Sequence, residues 1–333
     1  MPNQLPRVAI ATGDPAGIGP EVGLKAALDP AVNAICQPIV VGDPEVVARH
    51  ARGAGLPDKF HVISQVKEAR WPGLVNLLNA PMPNVETFEF GKNGAAYGLG
   101  ALASARVAIH AALANEVDAV VAAPQNETSV HAAGIEFDGY PSFVAKETST
   151  DKDDVYLMLC FGERRIVHTT LHVGVAEAVR MITRERVGRV IRAANTALKR
   201  LGIASPKIFV SGLNPHAGEG GLFGREEIEI ISPAIADTAA TGIDVTGPFG
   251  ADTMFHKKGC DAFIVMLHDQ GHITAKLLAP NATAGLAIGT PIMFSSVAHG
   301  SAFDIAGKGQ ASPAAMIEAI KRLVGAPAKA AAA

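Results

Sequence analysis

A chain of 333 residues that is 48% apolar and 18% charged can bury a large core and is long enough to form two lobes. Its formal net charge of -3 attracts neither nucleic acid nor an anionic membrane surface, which leaves a small molecule as the expected partner. The three cysteines, Cys36, Cys160 and Cys260, are odd in number and far apart, which excludes a disulfide framework and a ribbon-type zinc site and points to a reducing compartment. Residues 1–10 carry no basic segment leading into an apolar run, and no later stretch reads as long enough to cross a bilayer. A cytoplasmic protein is expected.

Short apolar runs bounded by Gly, Pro or Asp recur along the chain, as in strands buried on both faces of a parallel sheet. In chain order the clearest lie at residues 8–10, 39–41, 119–122, 208–210 and 263–267. Alanine-rich amphipathic segments at 101–115 and 187–201 are long enough to be crossover helices, so the class is α/β. Loops rich in Gly, Pro, Ser and Asn near 125–150 and 275–290 are where one lobe gives way to the other, with 1–128 plus 282–333 expected as the first lobe and 129–281 as the second. The alanine-rich ending at 325–333 is expected to fray.

The first candidate site motif is Gly13-Asp-Pro-Ala-Gly-Ile-Gly-Pro-Glu21, directly after the first strand. Its glycine spacing does not match the dinucleotide fingerprint, so it reads equally as a tight strand-to-helix turn or as a ligand contact. Three histidines, His172, His216 and His268, each follow an apolar strand at its carboxyl end, where open α/β sheets bind their ligands. Neutral imidazoles converging from three strand ends can hold one divalent ion and leave positions free for an oxygen substrate. A single such histidine is more often a hydrogen-bonded loop residue. His168 and His272, each four positions from a member of the trio, are ranked as neighbours rather than ligands.

Near the end, His299-Gly-Ser-Ala-Phe-Asp-Ile-Ala-Gly-Lys-Gly309 resembles the adenosine-side loop of isopropylmalate and isocitrate dehydrogenases, which bind NAD(P) without the dinucleotide fingerprint. Over nearly its whole length the chain also resembles the 4-hydroxythreonine-4-phosphate dehydrogenase family. The motifs that carry this are Gly13 to Glu21, Gly212-Leu-Asn-Pro-His-Ala-Gly-Glu-Gly220, Gly247-Pro-Phe-Gly-Ala-Asp-Thr253 and His268-Asp-Gln-Gly271.

The resemblance implies a two-lobed α/β fold like that of isocitrate and isopropylmalate dehydrogenases, with parallel and mixed sheets and an active site in the cleft. It implies NAD or NADP as cofactor, on His299, Gly300, Ser301 and Asp304. It implies one divalent ion (zinc, or magnesium, manganese, cobalt or iron) on His172, His216 and His268, in a homodimer with the metal site at the interface. Lys276 and Asp252 fall at the reacting centre, and Lys276 also contacts the substrate.

Departures from the family are as informative. Gly139-Tyr-Pro-Ser142 replaces a Gly-His-Thr-Glu motif, so Tyr140, Pro141 and Ser142 stand at substrate-binding positions. Gly285 and Phe294 stand where the family has a substrate-binding Asn and Arg, and Pro124-Gln-Asn-Glu127 replaces Pro-Ile-Asn-Lys. An arginine grips phosphate bidentately and a phenylalanine does not. These features, with Ala133-Gly-Ile-Glu-Phe-Asp-Gly-Tyr-Pro-Ser142 and Lys276-Leu-Leu-Ala-Pro-Asn281, are similar to a sister group, the terephthalate dihydrodiol dehydrogenases.

The expected reaction is therefore oxidative decarboxylation of a cis-dihydroxycyclohexadiene carboxylate, with Tyr140 and Phe294 as an apolar wall for the ring. Dehydrogenation of 4-phosphohydroxythreonine or a related sugar-acid phosphate is the alternative. An acyltransferase like phosphate acetyltransferase, or a ligand-binding protein without turnover, fits the 299–309 loop and the histidine trio less well.

Overall fold

A computed structural model describes residues 5–279, 283–297 and 299–324. The ending at 325–333 and Asn281 of the Lys276 motif lie outside the described residues. The described residues divide into two compact units, residues 5–150 with 291–324, and residues 151–290.

The first unit runs β1 (Arg7–Ala11), α1 (Gly19–Leu28), α2 (Pro30–Asn33), β2 (Gln37–Gly42), α3 (Pro44–Gly53), β3 (His61–Ile63), β4 (Asn76–Asn79), α4 (Ala95–Leu113), β5 (Ala119–Ala122), α5 (Glu127–Ala132) and α6 (Tyr140–Glu147). In the second unit follow β6 (Tyr156–Phe161), β7 (Arg164–His168), α7 (Val175–Met181), α8 (Arg184–Arg200), β8 (Lys207–Ser211), α9 (Ser232–Ala239), β9 (Asp244–Phe249), β10 (Ala262–Val265), α10 (His268–Leu278) and β11 (Ala284–Ile288). The chain then returns to the first unit with β12 (Phe294–Val297) and α11 (Ala314–Val324).

Six strands of the first unit lie in the order β3-β4-β2-β1-β5-β12, every pair parallel. Ala9 of β1 pairs with Ile39 on one side and Val120 on the other, and all three are fully buried. This is why these strands read as unbroken apolar runs rather than alternating ones. In the second unit the order is β11-β6-β7-β10-β8-β9, antiparallel across β11, β6 and β7 and parallel from β7 to β9. Leu159, Phe161, Ile166, Phe263, Val265, Met254 and Ala275 form an apolar core there.

Two sequence expectations change. The first unit keeps residues 129–150 because α5 and α6 pack on α4, and the second keeps 283–290 because β11 pairs with β6; the boundaries fall at 150/151 and 290/291 rather than 128/129 and 281/282. Helix α4, with 19 residues, is by length and composition long and apolar enough to cross a membrane, which no stretch was expected to be. Its small, apolar face packs on β1, β2, β5 and α5, as a core helix does.

The turn between β1 and α1 buries Asp14 completely. Its Oδ1 accepts the Ala16 N–H at 2.8 Å. Burial pushes its carboxyl up from the ordinary 3.8 to about 6, partly offset by the Ala16 N–H and the Ser129 hydroxyl. Because the folded-state value is raised, the fold loses stability as pH climbs through about 6, and nothing is lost below the unfolded value, where both states are protonated. At neutral pH the cost is about 3 kcal/mol. Asp14→Asn, which keeps the acceptor for Ala16, should therefore be more stable than wild type by about 1–3 kcal/mol at pH 8. Urea denaturation from pH 4 to pH 8 should show that difference shrinking to nothing at the acid end; a constant difference would mean that ionisation of Asp14 is not its source.

Candidate active site

The adjacent parallel strands β7, β10 and β8 end beside one another, and each is followed by one of the three singled-out histidines. His172 follows β7, His268 opens α10 directly after β10, and His216 sits in the loop after β8. The rings of His172 and His268 lie 5.5 Å apart. His268 stacks on His272 at 3.8 Å with 12° between the planes, because one turn of α10 separates them. Its Nδ1 lies 2.7 Å from Asp269 Oδ1, which leaves Nε2 for a ligand.

His168 completes the row from within the core. Its Nε2 lies 3.1 Å from His272 Nδ1, and its ring is 4.6 Å from that of His272. Burial, then the neighbouring His272, pushes His168 down to about 3. Burial, then His268, pushes His272 down to about 4. Both imidazoles are therefore neutral at physiological pH and serve as a packed backing for His268. Gly271 is required for this arrangement, since a Cβ there would meet His168 Nε2 at 2.3 Å.

His216 stands apart from this row, with Phe223 as its ring neighbour at 6.1 Å. Among the described residues, no three His, Cys, Asp or Glu side chains come together as a metal-holding group. The donor set fits a divalent ion through His172 and His268, while the third imidazole does not join them within one copy of the chain. Around Gly250, a Cβ would lie 2.7 Å from Asp252 Oδ1 and 3.7 Å from His216 Cα, so Asp252 and His216 share one neighbourhood. Lys276 is exposed two turns along α10 from His268, and its ammonium contributes to holding the His272 imidazole neutral.

The loop that presents His216 is strained. His216, Ala217, Gly218, Glu219 and Gly220 all have left-handed backbones, with φ of 52°, 53°, 78°, 43° and 67°. For the three non-glycine residues this costs roughly 1–2 kcal/mol each. The conformation is held by Glu227, a buried carboxylate that sequence reading did not single out. Its Oε1 accepts the Leu213 and Asn214 N–H groups at 2.7 Å each, and Oε2 accepts Asn214 Nδ2 at 2.9 Å. Glycines at 218, 220 and 221 announce a loop, but nothing local links it to the glutamate that opens the next helical turn. Glu227→Ala strands several buried donors and should cost about 2–4 kcal/mol in denaturant unfolding. It should also speed proteolysis within 213–224, and unchanged stability with unchanged proteolysis would show that Glu227 is not the clamp.

In the first unit, Tyr140 and Phe294 come together with ring centroids 5.2 Å apart. They do not form the open wall expected of them. Tyr140 is 7% exposed and gives its hydroxyl to the Ala123 carbonyl at 2.9 Å, and Phe294 is 1% exposed. Both fill volume, because a phenol and a phenyl ring with no charged partner are driven inside. Half-buried Phe137, 6.1 Å from Tyr140, gives this cluster its accessible face. Pro141 lies in the first turn of α6, and Ser142 Oγ is engaged by Asp138 and by the Gly139 carbonyl, so both shape the helix start.

The loop at 299–309 has features that suit a dinucleotide. Ser301 Oγ is buried without a hydrogen-bond partner, Asp304 is exposed, and a Cβ at Gly300 would meet nothing within 4 Å. His299 is half-buried, with its Nδ1 3.1 Å from the Gly300 carbonyl.

Comparison with known proteins gives the chemistry its family. Residues 34–323 match the family described as pyridoxal phosphate biosynthetic protein PdxA. The chain is 39% identical over 327 residues to the D-threonate 4-phosphate dehydrogenase of Cupriavidus necator, covering 97% of both chains. It is similar to the structure of a 4-hydroxythreonine-4-phosphate dehydrogenase from Burkholderia phymatum, with 36% identity, TM-score 0.86, and 97% and 98% of the two chains covered. It is also similar to a terephthalate 1,2-cis-dihydrodiol dehydrogenase from Burkholderia xenovorans LB400, with 42% identity, TM-score 0.75, and 97% and 99% covered. The relatives divide over what they oxidise and agree that they are dehydrogenases; this chain belongs to the PdxA family of dehydrogenases.

Proposed function

We propose that this protein carries out metal-dependent, NAD(P)-linked oxidative decarboxylation of a cis-dihydroxycyclohexadiene carboxylate, such as terephthalate dihydrodiol, to a dihydroxybenzoate. The observation that carries this reading is the buried Tyr140–Phe294 pair, at positions where the family resemblance implies a histidine and an arginine in the phosphate-handling members. With the tyrosine hydroxyl spent on the Ala123 carbonyl, neither residue can make a charge-assisted bond to a phosphate. Phe137 offers the substrate ring an aromatic face instead.

When bound, NAD(P) supplies the hydride acceptor and a divalent ion supplies a Lewis acid for such a reaction. The chain's own residues do the rest. His172 and His268 would hold the ion, and His299, Gly300, Ser301 and Asp304 would hold the dinucleotide. Lys276 pairs with a substrate carboxylate or the reacting oxygen, and Lys276 and Asp252 are the groups we assign to carry the hydroxyl proton. In the overall reaction the secondary carbinol carbon gives up a hydride and its hydroxyl a proton. The carbon–carbon bond to the adjacent carboxylate then breaks, its electron pair stays in the ring, and carbon dioxide leaves as the ring becomes aromatic.

Among the described residues His216 joins no group of three His, Cys, Asp or Glu side chains, and we propose that the third imidazole is met across a homodimer. Exposed Val175, Val179, Leu222, Phe223, Ile273 and Leu277 on the same unit support this, because that much exposed apolar side chain is normally covered. We place the protein in the cytoplasm, in keeping with its three widely spaced cysteines. A phosphorylated four-carbon hydroxy acid is the second reading, favoured by the structural likeness to the hydroxythreonine phosphate enzyme.

Two outcomes are expected. Single His172→Ala, His216→Ala and His268→Ala variants should each lose bound divalent ion, by elemental analysis, together with metal-dependent turnover; retention of both in all three places the metal elsewhere. Losing one charge-assisted contact to phosphate costs about 1.5–3 kcal/mol, or roughly ten- to a hundred-fold in affinity. Side-by-side kcat/KM values should therefore favour a cyclic diol carboxylate over 4-phosphohydroxythreonine and D-threonate 4-phosphate. A higher value for either phosphate than for every dihydrodiol tested decides for the second reading.

A further inference from the structure

The motif after β1 acquires a role from its last residue. Glu21 is fully buried on α1, one turn before Lys25, and Lys25 Nζ lies 2.7 Å from Glu21 Oε1. This pair does more than staple its own helix. Lys25 Nζ also donates to the Gly309 carbonyl at 3.0 Å and the Ala311 carbonyl at 2.7 Å. Glu21 Oε1 accepts the Ala311 N–H at 2.9 Å, and Oε2 accepts the Gly309 N–H at 3.3 Å. All four main-chain groups belong to the end of the 299–311 segment.

The start of that segment is held by the same helix. At the entrance to α1, the Ile18 N–H donates to the Ser301 carbonyl at 2.9 Å. A Cβ on Gly17 would meet Ser301 Cβ at 2.7 Å, so glycine is needed for this approach. Between the two anchors the loop passes through left-handed backbone at Ala302 (φ 41°), Gly307 (φ 70°) and Gly309 (φ 71°). An unanchored loop would relax out of that shape.

We propose that Glu21 and Lys25 are positioning residues for cofactor binding: their buried ion pair fixes the 299–311 loop in the form that receives NAD(P). The inference rests on the reading of that loop as the dinucleotide site. Pre-ordering a loop removes the entropy of ordering it from the cost of binding. The effect should therefore appear in nucleotide affinity and KM rather than in kcat.

The test uses Lys25→Met, Lys25→Arg and the double change Glu21→Gln with Lys25→Met. The double change removes both charges and so leaves no lone buried ion to unfold the chain. Titration of full-length folded protein with NAD and with NADP, followed by fluorescence and calorimetry, should show at least tenfold weaker binding for Lys25→Met and for the double variant. Lys25→Arg should recover part of the loss. KM for the nucleotide should rise with kcat within threefold of wild type, and affinity for manganese should be unchanged. Asp304→Ala and Ser301→Ala are measured alongside. If they weaken nucleotide binding while the folded double variant binds like wild type, the latch is overturned and the site reading stands. If neither alters nucleotide binding, both the site reading and the latch fall.

Discussion

The structure depends on buried carboxylates that accept main-chain N–H groups. A parallel sheet delivers its functional residues on loops beyond the strand ends, where backbone donors have no ladder to pair with. Glu21 takes the N–H groups of Gly309 and Ala311, Glu227 those of Leu213 and Asn214, and Asp14 that of Ala16. Asp261, also buried, takes that of Lys207 at the start of β8. A charged acceptor forms a stronger bond than a neutral one, which lets these loops hold left-handed and tightly turned backbone without a core of their own. Glu21 has Lys25 beside it. Asp14 shows the other side of the device, a carboxyl driven upward because burial is offset by too few donors.

These devices divide between the units in parallel fashion. In the first unit a carboxylate on a helix secures a loop suited to a dinucleotide. In the second a carboxylate entering a helix secures the loop that carries His216. The histidine row is organised on a different principle, by stacking on α10 and by the insertion of buried His168 behind it. The buried His168 and the His272 ring stacked on His268 back that side chain from one side, while Asp269 holds its Nδ1.

Substrate selection, in the proposed reading, follows from what the aromatic cluster lacks. Tyr140, Phe143, Phe137 and Phe294 occupy one another's surfaces, and none of the four carries a charge of its own to offer a phosphate. The wall imagined from sequence is therefore a filled interior with a single accessible ring, Phe137, at its edge.

Much was legible in the sequence, for local reasons. Strands buried on both faces must be apolar without alternation, so residues 8–10, 39–41, 119–122, 208–210 and 263–267 announce themselves, and a histidine after such a run is placed at the strand end whatever the rest of the fold does. Helix α8 follows from its periodicity to within a turn at each end, whereas α4 begins at Ala95, well before the segment expected from residue 101. The motifs likewise suffice to place the chain in its family. What the tertiary structure decided are the contacts that chain separation hides: Glu21 with Gly309, Glu227 with the β8 loop, His168 behind His272, and Phe294 against Tyr140. Each joins residues 13 to 288 positions apart, or points a side chain inward where sequence left it facing a ligand. No local propensity encodes such pairings, because they exist only once strand order has brought the loops together, and that order is a property of the packed sheet.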